Sequence, residues 1–390
     1  MNKFGRHLRP LWHLEPEATF LNHGSFGACP KEVLAAQSAL RDGMERQPDV
    51  FFRRRASQRN PDNDLRAAAE RVGRFVGTTG ERIAFVSNAT EAVNTALRAV
   101  DLKPNDEILV LDCVYNAVRL AAEDVCRRTG ARIVKVSLPI PLKANDLVEW
   151  IADAAGPRTK LAIIDHISSP TATVFPVAEI TRVLKAKGAR VMIDGAHAVG
   201  QLALDLPAIG ADWYTATAHK WLFGPKGSAL FYAASEVAAM TVPLSVSHWH
   251  ELGFPRAFDY VGTRDVTPFL SVPAALDFIE RFGAAEVRGY LQQLSREGDT
   301  IVRDLGVEAV AADAMFAAMR AYILPQRRPA EADDALQVMN TMWDAHRIQV
   351  ASSTYQNKLL LRLSAQIYVE RADYARAVEV LDRVGWPGRA

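Results

Sequence analysis

Two short stretches of this 390-residue chain carry side chains in a pattern that could do chemistry. In Thr215-Ala216-Thr217-Ala218-His219-Lys220-Trp221-Leu222-Phe223-Gly224-Pro225-Lys226-Gly227, Lys220 ends a β-rich run among apolar and aromatic neighbours. A lysine kept from water sheds its proton more easily, and the free amine attacks aldehydes. Lys226, in a Gly-Pro-Lys-Gly turn, is the solvated competitor. In Val191-Met192-Ile193-Asp194-Gly195-Ala196-His197, an acid directly follows an apolar run. A carboxylate there can keep a heteroaromatic nitrogen protonated and make the ring an electron sink. Taken singly, each stretch has a packing explanation: a snorkelling lysine, or a capped turn with a satisfied histidine.

Other apolar runs end in polar clusters as well. Ser87-Asn88-Ala89-Thr90 opens a helix, whose free N–H groups and Thr90 hydroxyl could bind an anion or could simply be capped. Tyr115 closes Asp112-Cys113-Val114-Tyr115-Asn116 and could stack on a flat ring. In Asp165-His166-Ile167-Ser168-Ser169-Pro170-Thr171, the hydroxyls of Ser169 and Thr171 are candidate contacts or turn residues. Together these clusters describe an anion cradle, a stacking face, a ring-nitrogen partner and an amine. That combination is harder to explain as packing than any one member.

The elements that must position these residues are legible as alternating segments. Strands are expected at 82–86, 107–112, 132–138, 160–167, 190–193, 213–217 and 229–232. Several, such as Ile108-Leu109-Val110-Leu111, are wholly apolar, which suits a mostly parallel sheet buried on both faces. Helices are expected at 91–100, 116–129, 146–155 and 177–187. This alternation predicts a layered α/β domain, with ligands beyond the carboxyl ends of its strands. After about residue 264 the pattern changes to helices at 271–282, 284–304, 330–345 and 370–384 and strands at 321–324 and 358–363. The expected organisation is an N-terminal segment, 1–45, serving the active site and the small domain; a large domain, 46–265; and a small α+β domain, 266–390.

Composition excludes several function classes. Basic and acidic residues number 46 and 45, so neither nucleic acid nor an anionic membrane is expected as partner. Cys29, Cys113 and Cys126 form no CxxC pair, which favours a reducing, cytoplasmic setting. No secretory signal and no membrane-spanning apolar run is apparent. His248 and His250 have H-x-H spacing without further ligands nearby, so no metal is predicted. The Arg53-Arg54-Arg55 run reads as a solvated helix face, with a distal substrate carboxylate as the other possibility.

The "DGAH" around Asp194 and "AHKW" around Lys220 resemble the class V group of fold-type I pyridoxal-phosphate enzymes. "FLNHGSFGACP" at 20–30, "NAT" at Asn88, "SPTA" at Ser169, "GTRD" at Gly262 and "RLSAQIY" at Arg362 are similar to its isopenicillin N epimerase-like branch. The resemblance implies a seven-stranded, mostly parallel sheet in a large α/β/α domain plus a smaller C-terminal α+β domain, with pyridoxal 5'-phosphate as cofactor. It implies that Lys220 holds the cofactor as a Schiff base, that Asp194 pairs with its ring nitrogen, and that His197 approaches its phenolic oxygen. Ala89 and Thr90 would bind its phosphate, with His219 adding a bond, and Thr171 and Thr217 would also contact the cofactor. Tyr115 would stand where cysteine desulfurases have a stacking histidine. Thr263 would reach the phosphate of a neighbouring subunit, implying a homodimer with shared sites. Arg362 would clamp the substrate α-carboxylate, with Asn22, His23 and Ser25 at the entrance.

The implied activity is proton chemistry at the Cα of an amino acid or amino-acid-containing peptide. Epimerisation is the first expectation; C–S β-elimination and transamination are the alternatives. An epimerase needs a second acid on the opposite face, for which Tyr115 and His23 are the candidates. No cysteine follows Cys126, which argues against a cysteine desulfurase. The intact set of Asp194, Lys220 and Arg362 argues against a non-catalytic binding protein.

Overall fold

A computed structural model describes residues 3–56, 63–143 and 147–389. The seven expected strands form one sheet. Its order is Ile83–Val86, Ala229–Ala233, Trp213–Thr217, Arg190–Asp194, Thr159–Asp165, Glu107–Leu111 and Arg132–Val136. Ala229–Ala233 runs antiparallel to both its neighbours, and the other pairings are parallel.

The apolar runs form central strands because both faces are covered. Helices Ala89–Ala99 and Asn116–Thr129 lay Val93, Ala96, Val118 and Ala122 against Ile108, Ile163 and Met192. Helices Leu147–Ala154 and Val177–Ala186 bury Ile151, Ile180 and Leu184 with Leu109, Ala162 and Ile193 on the other face. The expected start of the third helix, Asp146, lies outside the described residues.

A second, smaller domain is built on a four-stranded antiparallel sheet: Ala351–Tyr355, Lys358–Ser364, Met319–Leu324 and Glu308–Ala309. Helices Ala332–Asp344 and Arg371–Val384 belong to this part of the chain. Ala351–Tyr355 was not expected as a strand. It reads Ala-Ser-Ser-Thr-Tyr, only its two ends are buried, and it lies at the sheet edge. It joins the next strand through Gln356 and Asn357, at φ 47° and 60°, as a two-residue hairpin turn requires.

The N-terminal segment bridges the two sheets. Thr19–Phe20 pairs in parallel with Ile348–Gln349. Trp12, 1% exposed, packs against Phe223, Phe278 and Tyr368. Among the described residues, no helix is long and apolar enough to cross a membrane.

Candidate active site

Lys220 follows strand Trp213–Thr217 and is partly buried. Its Nζ lies 3.3 Å from His197 Nε2. The indole N–H of Trp221 donates to His197 Nδ1 at 3.4 Å, so the neutral imidazole carries its hydrogen on Nε2. That hydrogen points at Lys220, and only an unprotonated amine can accept it. Burial lowers the Lys220 ammonium to about 8; Asp194 and Asp165 oppose the shift, while Arg362 adds to it. Burial, reinforced by Lys220, likewise holds His197 well below the usual histidine range. Lys226, the competitor, is exposed and donates to the Gly27 carbonyl at 3.2 Å.

Asp194 ends its strand 3% exposed, and its Oδ1 accepts from the Ala196 amide at 2.9 Å. Burial raises its carboxyl, opposed by the Ala196 amide and by Lys220. Thr217 donates its hydroxyl to the Ala196 carbonyl at 2.8 Å, tying the lysine strand to the Asp194 turn.

Arg362 comes from the second sheet, yet it reaches the loop after Thr159–Asp165. Its Nη1 donates to the carbonyl of Ser169 and, at 3.3 Å, to its hydroxyl. Its Nη2 donates to Ser25 Oγ at 3.0 Å and Asn22 Oδ1 at 3.5 Å. The residue is 6% exposed, and no carboxylate pairs with it among the described residues. Burial lowers the guanidinium to about 10. A buried cation framed by neutral oxygens is costly unless an anion joins it. Asn22 and Ser25 therefore frame the arginine, with Ser25 Oγ bonded to Asn22 Oδ1 at 2.6 Å.

His23 departs from expectation. It is 0% exposed, so it does not line an entrance. Its Nε2 donates to the Lys220 carbonyl at 2.8 Å, and its Nδ1 accepts from the Tyr368 hydroxyl at 2.6 Å. Both ring nitrogens are engaged, and burial depresses the imidazole to about 3. It cannot serve as the second acid; it holds the backbone of Lys220 in place. The same loop passes close by at Gly27, whose φ is +68° and where an added Cβ would meet the His219 carbonyl oxygen at 1.8 Å.

The remaining expected residues sit at the strand ends. Ala89 and Thr90 open an 11-residue helix capped by Asn88, whose side chain accepts from the Glu91 amide at 2.9 Å. The first two helical amides remain for an anion. Thr171 is buried, and His219 is partly buried. Tyr115 is 49% exposed at the mouth of a cleft of about 410 Å³, which is lined by Ser25, Asn116, Ser169, Ser353 and Arg362 among others. Ser353, on the unexpected edge strand, was missed because a serine pair in a polar run carries no signal of its own. Thr263 is exposed and bonds Tyr260 at 3.4 Å. Arg53 and Arg55 are paired with Asp49 and Asp64 on the surface.

Thirteen buried side-chain polar atoms have no partner among the described residues, and four of them belong to this region: Asp165 Oδ2, Thr171 Oγ1, His219 Nδ1 and Arg362 Nε. All four lie on segments that converge on Lys220 or on the strand ends beside it. Buried polar groups are normally satisfied, so the atoms of Thr171, His219 and Arg362 mark a place for a polar ligand. An amine that gives up its proton, a facing carboxylate, hydroxyls and a free helix N-terminus fit pyridoxal phosphate. Lys220, Asp194, His197, Ala89, Thr90, Thr171, Thr217 and His219 are the residues that would hold it.

Comparison with known proteins points to the same cofactor. Residues 54–317 match the family described as Aminotransferase class-V. The chain is 30% identical to an isopenicillin N epimerase of Streptomyces clavuligerus, covering 95% of each protein. It is 32% identical to an L-cysteine desulfhydrase of Arabidopsis thaliana, over 69% of this chain and 62% of the relative. A cystine C–S lyase, solved with its reaction product cysteine persulfide, has a TM-score of 0.78 at 21% identity, covering 94% of this chain and 97% of the other. A mutant of that lyase has been solved with glycine covalently linked to its pyridoxal-phosphate cofactor.

Proposed function

Because the chain belongs to the class-V aminotransferase family and takes pyridoxal phosphate as cofactor, we propose that it moves the α-proton of an amino acid or amino-acid-containing peptide, as an epimerase of the isopenicillin N epimerase-like branch. The observation that carries this reading is Arg362, a buried guanidinium lacking an acidic partner among the described residues, whose neighbour Lys220 is a deprotonatable amine. When bound, pyridoxal phosphate supplies an electron sink for a carbanion at Cα.

The chain's own residues do the rest. Arg362 clamps the substrate carboxylate as a fork, on the frame of Ser169, Ser25 and Asn22. Lys220 Nζ, neutral above about pH 8, accepts the Cα proton. Asp194 holds the positive charge of the ring nitrogen. Epimerisation returns a proton to the opposite face. With His23 engaged at both nitrogens, the Tyr115 hydroxyl at the cleft mouth is the donor we assign. In a homodimer, exposed Thr263 would help hold the cofactor phosphate of the neighbouring subunit. Three free cysteines support a reducing compartment.

Likeness to an L-cysteine desulfhydrase supports C–S β-elimination as the second reading. Incubation with a panel of amino acids and amino-acid-containing peptides in deuterated water separates the two. Deuterium at Cα with racemised product is the expected result. Pyruvate and ammonia from cysteine derivatives would establish the lyase, and a requirement for a keto acid would establish a transaminase. No exchange at Cα with any member of the panel would remove the epimerase reading.

A further inference from the structure

Asp165 has no part in the chemistry above, yet strand register sets its carboxyl beside the one that does. Strands Thr159–Asp165 and Arg190–Asp194 run parallel, and Asp165 is the register partner of Asp194. Neighbouring strands lie about 4.8 Å apart, and residues in register point to the same face. Ile163 and Met192, two positions earlier, indeed share one apolar cluster. Both aspartates are 3% exposed. Asp194 has the Ala196 amide, whereas Asp165 Oδ2 is buried with no partner among the described residues.

Two like charges this close, shut away from water, do not both ionise. Lys220, after the next strand, faces both carboxyls, and Arg362 lies beyond it, facing Lys220. On the loop after Glu107–Leu111, the Cys113 thiol and the Tyr115 amide face Asp165. The Tyr214 phenol faces Asp194. An unpaired oxygen beside a carboxylate is satisfied if it carries the hydrogen itself. Burial and then Asp194 push the Asp165 carboxyl well above the ordinary range, which agrees with the geometry.

We propose that Asp165 is a positioning residue that carries the single proton of the pair as a neutral carboxylic acid, leaving Asp194 the ionised partner for the cofactor's ring nitrogen. No proton need leave the pair when the ring nitrogen arrives protonated. The assignment holds whichever reaction follows at Cα.

Two measurements test it. An infrared difference spectrum of wild type minus Asp165→Asn, at about pH 8, with and without cofactor, is expected to show a protonated-carboxyl C=O stretch that shifts in deuterated water. The second follows cofactor affinity and the pH midpoint of cofactor absorbance. Asp165→Asn keeps a neutral donor and should hold affinity within about twofold of wild type, with the midpoint unmoved. Asp165→Leu removes the donor and should weaken cofactor binding about tenfold and displace the midpoint. An absent band, an Asn variant as impaired as Leu, or a Leu variant identical to wild type would each overturn the proposal. If the Leu variant does not fold, the infrared band and the Asn titration decide alone.

Discussion

Lys220 can act as an amine because its surroundings favour the uncharged form. Burial brings its ammonium to about 8, and the His197 N–H requires a lone pair to point at. Capture of pyridoxal phosphate by cofactor-free protein should therefore slow about tenfold for each pH unit below 8, and level off above it, in a stopped-flow absorbance series. Lys220→Ala should show no bound-cofactor absorbance, while Lys226→Ala, which loses only a bond to Gly27, should retain it. At Arg362, charge-assisted bonds of about 1.5–3 kcal/mol are at stake. Arg362→Ala should raise KM about 10- to 100-fold with cofactor absorbance unchanged. Arg362→Lys should recover little, since an ammonium lacks the planar fork. Lys220 and Asp194 stood out in the sequence because each is a polar residue ending an apolar run, whereas Arg362 was reached only through the resemblance of its "RLSAQIY" stretch. His23 did not reveal its role, because its partners Lys220 and Tyr368 are distant in sequence. Asp165 was passed over for a related reason: strand register, not spacing along the chain, sets it beside Asp194.

Elements differ in how openly they announce themselves. The seven central strands were legible because burial on both faces demands unbroken apolar residues, and their edges moved by at most two residues. Ala351–Tyr355 escaped because an edge strand with a solvated face needs no apolar run. Its hairpin matters to the cleft. Tyr355 and Gln356 donate to Asp112 and Leu138 at the ends of the large-sheet strands, just before Tyr115, and Ser353 lines the opening. Asn357, at φ 60°, holds the turn. Asn357→Gly should leave stability within about 0.5 kcal/mol of wild type. Asn357→Val, a β-branched residue in a left-handed conformation, should cost about 1–2 kcal/mol in urea unfolding. The Val variant should also raise KM more than it lowers kcat, because the hairpin shapes binding and touches no reacting atom.

At the scale of the whole molecule, the N-terminal segment locks the two domains together, and His23 is its pin. One imidazole joins a loop near the chain start to the Lys220 carbonyl of the large domain and the Tyr368 hydroxyl near the chain end. It does so as the neutral tautomer, with a depressed value of about 3 against 6.5 when unfolded. The unfolded chain therefore binds this proton first. The stability His23 contributes is complete above pH 6.5 and is lost as pH falls toward 3, at about 1.4 kcal/mol per pH unit. His23→Gln keeps a donor for the Lys220 carbonyl and cannot titrate. Other buried titrating groups, the aspartate pair included, cancel when the two proteins are compared. In urea unfolding at a series of pH values from 7.5 to about 4.5, the stability difference between wild type and His23→Gln should be constant at the upper end and shift against wild type below pH 6.5. A difference that stays flat across the whole range would mean that the imidazole is not held neutral, and the pin would have to be sought in the Trp12 cluster instead.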